Sequence, residues 1–402
     1  MKLFMYHPGR NGVSFYRFWQ LEKYLPKYGV EVNAVPHSNE AKMEEADHEA
    51  VLKNHDLIIS NTYSGLYHSA RLRAMMRRKP VIVDLDDDFL GFDPQMHRVW
   101  NGWADEPDQV DEYNPKKHDA AFMAELYANG GILQEHNKRM WVFLPGNRPK
   151  ENIALQIKEA AGLSVSTETL YKLHGPHSNG CFIVPNGVDF ELWHGQKNDT
   201  GKFRVGLFGS NTHTYDWKMA ADGIKRFLDE TPDAVLVSNY FLNVLEQGKD
   251  MYSSKIVPQI PPYFEDHFKA GRIEYHGPSE IEDYPKWLAD KRVDVILAPL
   301  EKITFNKAKS NIKWLEATAL GIPTIVSKLE PYADVVHGET GLVAEKPIDF
   351  YRLLKRLYSD KQERQRLAAN ALEVVKSKYD MAVIAANYAE RLKSLEVEKC
   401  AA

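Results

Sequence analysis

Lys309, Lys313 and Glu316 stand at i, i+4 and i+7 in the stretch running from Phe305 to Ser327, and on a helix that spacing puts all three on one face. Ser310 or Asn311 occupies the position of an N-cap, and Gly321 the position where a helix should stop. Ile312, Leu315 and Ala319 recur at helical spacing and are expected to face a core. A helix N-terminus presents unpaired N–H groups and about half a positive charge, which suits a phosphate. Two lysines add to that charge, and a carboxylate two turns further in can accept hydrogen bonds from the hydroxyls of a ribose. Phosphate at the helix start with a sugar along its flank is the outline of a bound nucleotide. An amphipathic helix with solvated lysines fits the same spacing, so the pattern alone leaves both readings open.

A second cluster, Asp84, Asp86, Asp87 and Asp88, follows the apolar run Val81-Ile82-Val83. Acids at the C-terminal end of a parallel strand sit where open α/β sheets bind ligands. So many carboxylates repel one another unless protonated, hydrogen-bonded or near a cation. Three readings are open: a general base for an acceptor hydroxyl, with Asp86 its expected carrier; an oxygen-ligand metal site serving a phosphotransferase; and a set of loop and cap carboxylates. The metal-dependent phosphatase pattern of two acids one residue apart continues with Thr or Val, and here Asp87 stands there instead.

Two loops share one logic. The run 2–6 leads into His7-Pro8-Gly9-Arg10-Asn11-Gly12-Val13-Ser14 and then a helical stretch from about Phe15 to Tyr28 carrying Arg17. The run Phe203–Phe208 leads into Gly209-Ser210-Asn211-Thr212-His213 and a helix from about Tyr215 to Glu230. Strand, glycine-bearing loop and helix start together can hold an anion or let a ligand approach the backbone, although plain turns read the same way.

These residues need a scaffold, and the chain supplies an alternation of strands and helices. Strands are expected at 30–35, 56–60, 80–84, 163–166 and 182–189, with helices at 40–54, 66–78, 151–161 and 167–174. Beyond a polar linker at 190–202, strands recur near 234–238, 273–275 and 293–298, with a helix at 280–290 and three closing helices. Such alternation implies right-handed βαβ units on parallel sheets. The expected organisation is an N-terminal Rossmann-like domain over 1–190, with an insertion at about 90–149 holding one or two helices. A C-terminal Rossmann-like domain over 203–380 follows, then a helix and tail over 381–402. Arg71, Arg73, Arg77, Arg78 and Lys79 form one basic cluster where a polyanionic acceptor could dock.

Bulk properties set the limits. With 402 residues, 44% hydrophobic and 27% charged, the chain has the composition of a globular protein of two or three domains. A formal charge of −5 argues against wholesale nucleic-acid binding. Two cysteines, Cys181 and Cys400, imply no disulfide framework and point to a reducing, cytoplasmic setting. No apolar run reaches the ~20 residues of a spanning helix.

Pro185-Asn186-Gly187-Val188-Asp189, Leu315-Glu316-Ala317-Thr318-Ala319-Leu320-Gly321-Ile322-Pro323 and Gly338-Glu339-Thr340-Gly341-Leu342-Val343, in this order and spacing, resemble GT-B-type nucleotide-sugar glycosyltransferases. The nearest match is the large retaining family four. Gly12–Arg17 with the Asp84–Asp88 cluster looks like a subgroup frequent in bacteriophages. The resemblance implies two Rossmann-like domains facing a central cleft, with the acceptor on the first and the donor on the second. It implies transfer of a sugar, with retention, from a nucleoside diphosphate sugar, UDP-sugar being the expected donor, to a hydroxyl of a glycan or of a hydroxymethylated pyrimidine in phage DNA. Neither a metal nor another cofactor is expected. Glu316 matches the family's second glutamate, which holds the donor ribose, but the first falls on Ala308, where Asn306 or Lys307 could substitute. The family's Arg and Lys pair for the diphosphate is also absent after Phe208. The donor side is therefore assigned to Gly12, Gly209, Ser210, Asn211, Lys309, Ser310, Asn311, Lys313 and Glu316. Arg17, Asp84 and Asp88 go to the acceptor side and Asp86 to catalysis. A metal-dependent phosphotransferase built on Asp84–Asp88 and a non-catalytic nucleotide-sugar-binding protein are the rival expectations.

Overall fold

The computed structural model describes residues 1–37, 43, 45–62, 66–91, 109–128, 131–136, 139–144, 149–209, 216–239, 244–245, 256–257 and 262–400. The chain divides into two compact units, Met1–Asn186 with Ile384–Ala402, and Gly187–Val383.

The first unit is built on a six-stranded parallel sheet in the order β2-β1-β3-β4-β8-β9. Its strands are β1 Lys2–His7, β2 Glu31–Pro36, β3 Leu57–Asn61, β4 Val81–Leu85, β8 Gly162–Val165 and β9 Cys181–Ile183. The central strands β3, β4 and β8 are buried along their whole length, as a parallel sheet covered on both faces requires. That is why they read as unbroken apolar runs.

The helix expected over Phe15–Tyr28 is in fact four short pieces. A turn of α-helix at Gly12–Ser14 passes into a π-helical segment Phe15–Trp19, then α-helix Gln20–Tyr24 and a 3-10 turn Leu25–Tyr28. The π segment carries Arg17 into the interior.

The insertion holds a helix, Ala120–Ala128, but also three antiparallel strands, β5 Gln109–Glu112, β6 Ile132–His136 and β7 Arg139–Leu144, in the order β5-β7-β6. The expectation of helices alone missed them. The basic cluster fastens this insertion in place. Arg71 Nη1 lies 2.8 Å from Asp119 Oδ2. Arg73 and Arg77 both pair with Glu125, which is wholly buried, and Arg73 Nε also donates to Glu159 Oε2 at 2.7 Å. Arg78 pairs with Glu49. The arginines read as a docking surface for a polyanion are thus matched internally by carboxylates.

The second unit repeats the architecture. Its parallel sheet runs β14-β11-β10-β15-β16-β17, from β10 Phe203–Leu207, β11 Ala234–Ser238, β14 Ile273–Tyr275, β15 Val295–Ala298, β16 Thr324–Ser327 and β17 Leu342–Ala344. A short antiparallel pair, β12 Val244–Leu245 and β13 Ile256–Val257, precedes β14. In chain order the main sheet is 3-2-1-4-5-6, so the switch point lies between β10 and β15, where ligands of such sheets bind. Helices Lys218–Glu230 and Pro347–Ser359 pack side by side over it, with Ile224, Phe227, Phe350, Leu354 and Leu357 in one core. Gly223 permits their approach, because a Cβ there would fall 2.8 Å from the Tyr351 nitrogen.

The polar stretch 190–202, read as a linker, lies against this unit. Gln196 donates to Asp290 and Asn198 to Asp294, each at 2.6 Å. The closing helix Met381–Cys400 passes from the residues of the second unit into those of the first. There Lys393 Nζ donates to the Tyr28 carbonyl at 2.7 Å, and the Tyr388 ring is buried.

Candidate active site

In the second unit the site grows from the helix Ile312–Ala319. It stops where the sequence asks, at Gly321, whose φ of 72° is the left-handed conformation that glycine adopts without strain. Its core face is rotated from the expected one. Trp314, Leu315, Ala317 and Thr318 are buried, whereas Ile312 and Ala319 are only partly so. Trp314 sets that rotation, with Nε1 donating to the Thr340 carbonyl at 3.2 Å within the glycine-rich turn before β17. Asn311 precedes the helix but forms no side-chain cap. Its side chain hydrogen-bonds Tyr379, whose hydroxyl donates to Asp334 Oδ2 at 2.5 Å. The first turn thus has no side-chain acceptor from its own N-cap. Ser310, beside it, is half-buried.

Lys309, Lys313 and Glu316 share one electrostatic environment, as their spacing suggests. Burial lowers the Lys313 ammonium to about 8, with Lys309 adding to the fall while Asp216 and Glu316 oppose it. Lys309 is buried, its Nζ 4.7 Å from the Phe305 ring centroid. Glu316 is 6% exposed, and its Oε2 accepts from the Tyr284 hydroxyl at 3.2 Å. Burial and the neighbouring carboxylate hold that phenol well above its usual range, so it remains a donor. Tyr284 in turn stacks on Trp287, with centroids 5.9 Å apart and planes at 21°.

Asp216 belongs to this site, although the sequence reading missed it. It lies just before helix Lys218–Glu230 and is buried. Its Oδ1 accepts from the Glu301 backbone N–H at 2.8 Å and from Asn306 Nδ2 at 2.7 Å. The only sequence signal was an acid a few residues after the loop of the second βα turn. Asn306, a candidate substitute for the missing glutamate, is engaged with Asp216 and the Glu301 carbonyl. Lys307 is exposed and faces Glu330, and Ala308 is fully buried. Gly209 lies at the end of β10, where its N–H donates to Asn239 Oδ1 at 3.1 Å. Ser210 and Asn211 lie outside the described residues.

In the first unit the expected site residues divide by burial. Arg17 and Asp84 form a bidentate buried pair, Nε to Oδ1 at 3.0 Å and Nη2 to Oδ2 at 2.6 Å. Arg17 Nη1 also donates to the Val184 carbonyl and to Asn186 Oδ1, and Ser164 Oγ donates to Asp84 Oδ2. Burial works against the Arg17 charge, but Asp84 outweighs it and raises the guanidinium above its ordinary value. Arg17 thus ties its π segment to β4 and to the turn after β9, and the two side chains expected on the acceptor side are engaged with each other in the interior. Asp88 is buried as well. Its Oδ1 lies 2.9 Å from His174 Nε2 and accepts from Gly91 N–H at 3.0 Å. Asp86, between the two, is half-buried at the C-terminal edge of β4, with its carbonyl accepting from Ser166 Oγ at 3.1 Å.

Gly12 opens the first turn after β1, and a Cβ there would meet open space. The N-cap of that turn is already made, by Asn11 Oδ1 accepting from Ser14 N–H at 2.9 Å. Three imidazoles gather at the same sheet edge. His7 ends β1, its Nδ1 accepting from Gly9 N–H at 3.2 Å, with Ser14 Oγ 3.0 Å away. His37 follows β2 and is lowered to about 3 by burial and by the nearby His68 and His7. The sequence reading singled out none of these histidines, because they lie on three separate elements.

Two Rossmann-like units of parallel strands, the second in dinucleotide-binding order, make up the GT-B fold. Residues 240–390 match the family model described as Glycosyl transferase-like, a segment that contains Lys309, Lys313 and Glu316. The whole chain is similar to HepE from Anabaena, solved with UDP-glucose, at 14% identity and a TM-score of 0.61, covering 98% of this chain and 100% of that one. It is also similar to sucrose-phosphate synthase from Thermosynechococcus elongatus, at 12% identity and a TM-score of 0.60, covering 99% and 100%. A glycosyltransferase from Rickettsia africae gives 8% identity and a TM-score of 0.61, covering 98% of each. No helix among the described residues is long and apolar enough to cross a membrane.

Proposed function

We propose that this protein is a glycosyltransferase that moves a sugar from a nucleoside diphosphate sugar to an acceptor hydroxyl, with retained configuration. The observation that carries the reading is the grouping of Lys309, Lys313 and Glu316 about the start of one helix at the ligand-binding edge of a Rossmann-ordered sheet. The two ammonium groups and the helix N-terminus neutralise the departing diphosphate, which is the largest electrostatic demand of the reaction. Glu316, oriented by Tyr284, accepts from the ribose hydroxyls. UDP is the donor nucleotide we favour, since HepE, of the same fold, was solved with UDP-glucose. In the first unit Asp86 orients the acceptor hydroxyl.

A carbohydrate acceptor fits better than DNA. The arginines that would have docked a polyanion are matched by Asp119, Glu125, Glu159 and Glu49, and the chain carries a net charge of −5. The phosphotransferase reading is weakened because Arg17 and Ser164 occupy both oxygens of Asp84, and His174 and Gly91 engage Asp88. The test is incubation with UDP-, GDP- and ADP-sugars, with released nucleotide measured in the presence and absence of simple glycan acceptors. Hydrolysis or transfer with at least one donor is expected. Binding of a donor without any turnover would instead establish a non-catalytic nucleotide-sugar-binding protein.

A further inference from the structure

We propose that Asp216 is a positioning residue for the donor diphosphate: a buried carboxylate that fixes the segment leading into Lys309 and stands as an internal counter-charge to Lys313, near the start of helix Ile312–Ala319, until the diphosphate takes over that role. The inference rests on the nucleotide-sugar reading above and adds a residue that the resemblance does not assign.

The cations that the resemblance places after Phe208 do not occur in Gly209-Ser210-Asn211-Thr212-His213. The charges at this site come from Lys309 and Lys313, on another element. Two buried ammonium groups near each other are unfavourable, because each loses hydration and each repels the other. Asp216 supplies opposing charge from another element. It enters from the turn before helix Lys218–Glu230, and its negative charge favours the protonated form of Lys313 against the cost of burial. Among the described residues, Lys309 from the preceding loop and Glu316 from its own helix also act on Lys313. Tyr284 reaches Glu316 from helix Tyr284–Ala289, and Tyr332, from the 3-10 turn Glu330–Tyr332, feels both Asp216 and Glu316.

The geometry fixes Asp216 rather than leaving it mobile. Its Oδ1 accepts from Glu301 N–H at 2.8 Å and from Asn306 Nδ2 at 2.7 Å, which ties it to the segment leading into Lys309. One carboxylate thereby sets the path of that segment and favours the charged form of Lys313. When a diphosphate arrives, its own negative charge holds the ammonium groups, and Lys313 takes up the proton it lacks at alkaline pH.

The experiment is calorimetric binding of UDP to the full chain between about pH 6 and pH 10, for the wild type and for Asp216→Asn. The amide keeps an oxygen for Glu301 and Asn306 but removes the charge. Wild-type affinity is expected to fall as pH rises through about 8. In Asp216→Asn the same fall is expected at lower pH, with about tenfold weaker binding at pH 8. An unmoved midpoint in Asp216→Asn, with wild-type binding intact, overturns the role of Asp216 and leaves the glycosyltransferase reading standing. Wild-type chain that binds none of UDP, GDP and ADP overturns both. A second measurement needs no variant: near pH 8, UDP binding repeated in two buffers of different ionisation enthalpy should reveal proton uptake, and none refutes the proposal.

Discussion

The Tyr284 hydroxyl lies 3.2 Å from Glu316 Oε2 and reaches it from a different helix. The carboxylate that would hold a ribose is therefore oriented by a neighbour that is itself stacked on Trp287. Glu316→Gln should weaken UDP binding by on the order of 10- to 100-fold, the worth of hydrogen bonds to a charged group. Tyr284→Phe leaves the charge in place and removes only the orienting bond, so a smaller loss, roughly threefold to tenfold, is expected. Titration of UDP into each variant decides it, and equal affinities across wild type and both variants would remove the ribose from Glu316.

Asp84 and Asp86 should respond in opposite ways to the same conservative change. Asp84→Asn strips the counter-charge from a buried guanidinium, which costs about 3–5 kcal/mol of stability. Asp86 is half-buried and outside that pair. Asp86→Asn should leave the melting temperature within about 2 °C of wild type and lower turnover about 10²- to 10⁴-fold if the carboxylate serves as general base. Thermal melts beside donor-turnover assays separate the two. A stable, magnesium-dependent phosphatase activity that vanishes in Asp84→Asn would return the phosphotransferase reading.

What the sequence made legible follows the physics of each segment. The buried strands β1, β3, β4, β10 and β15 are short apolar runs between turn residues, and their places in the chain are plain. The helix bearing Glu316 was legible from its stop at Gly321 and from the lysine spacing. Its rotation was not, because the pull of Trp314 toward the Thr340 carbonyl is a tertiary contact. The strands β5 to β7 stayed hidden: Gln109–Glu112 and Ile132–His136 are mixed in polarity, and their pairing with Arg139–Leu144 is what makes them strands. The Arg17–Asp84 pair joins residues 67 apart in sequence, and the Arg73–Glu125–Arg77 cluster joins residues 48 apart from Arg77 to Glu125. Charge in a sequence does not announce its partner, so both looked like surfaces.

That last cluster gives a prediction about the insertion. Glu125 is buried against Arg73 and Arg77. In Glu125→Ala the two guanidinium groups lose their shared carboxylate, and about 3–5 kcal/mol of stability should go with it. Because helix Ala120–Ala128 carries Glu125, the loosening should begin in the insertion. Limited proteolysis should cut within 109–144 in the variant before it cuts elsewhere. With its arginines so matched, the wild type should bind duplex DNA only weakly. Tight binding whose affinity falls steeply with salt would reopen the polyanion surface.

Lys313 sets function against stability. Burial pushes its ammonium down to about 8 from an ordinary value of 10.5. Between those two pH values the unfolded chain binds more protons than the folded one, so stability should rise as pH climbs through this window, and the penalty is fully present below it. Lys313→Met keeps the aliphatic bulk and removes the buried charge, so at neutral pH it should raise the melting temperature by a few degrees. The same change removes a cation from the diphosphate site, and UDP affinity should fall on the order of tenfold or more. The rise in melting temperature should shrink at about pH 10, where the wild-type ammonium is largely neutral in the folded chain and the penalty is mostly gone. Differential scanning calorimetry at neutral and alkaline pH, paired with UDP titration, measures both halves. A variant that melts lower than wild type at neutral pH while binding UDP equally well would mean that Lys313 is a structural lysine with no part in holding the donor.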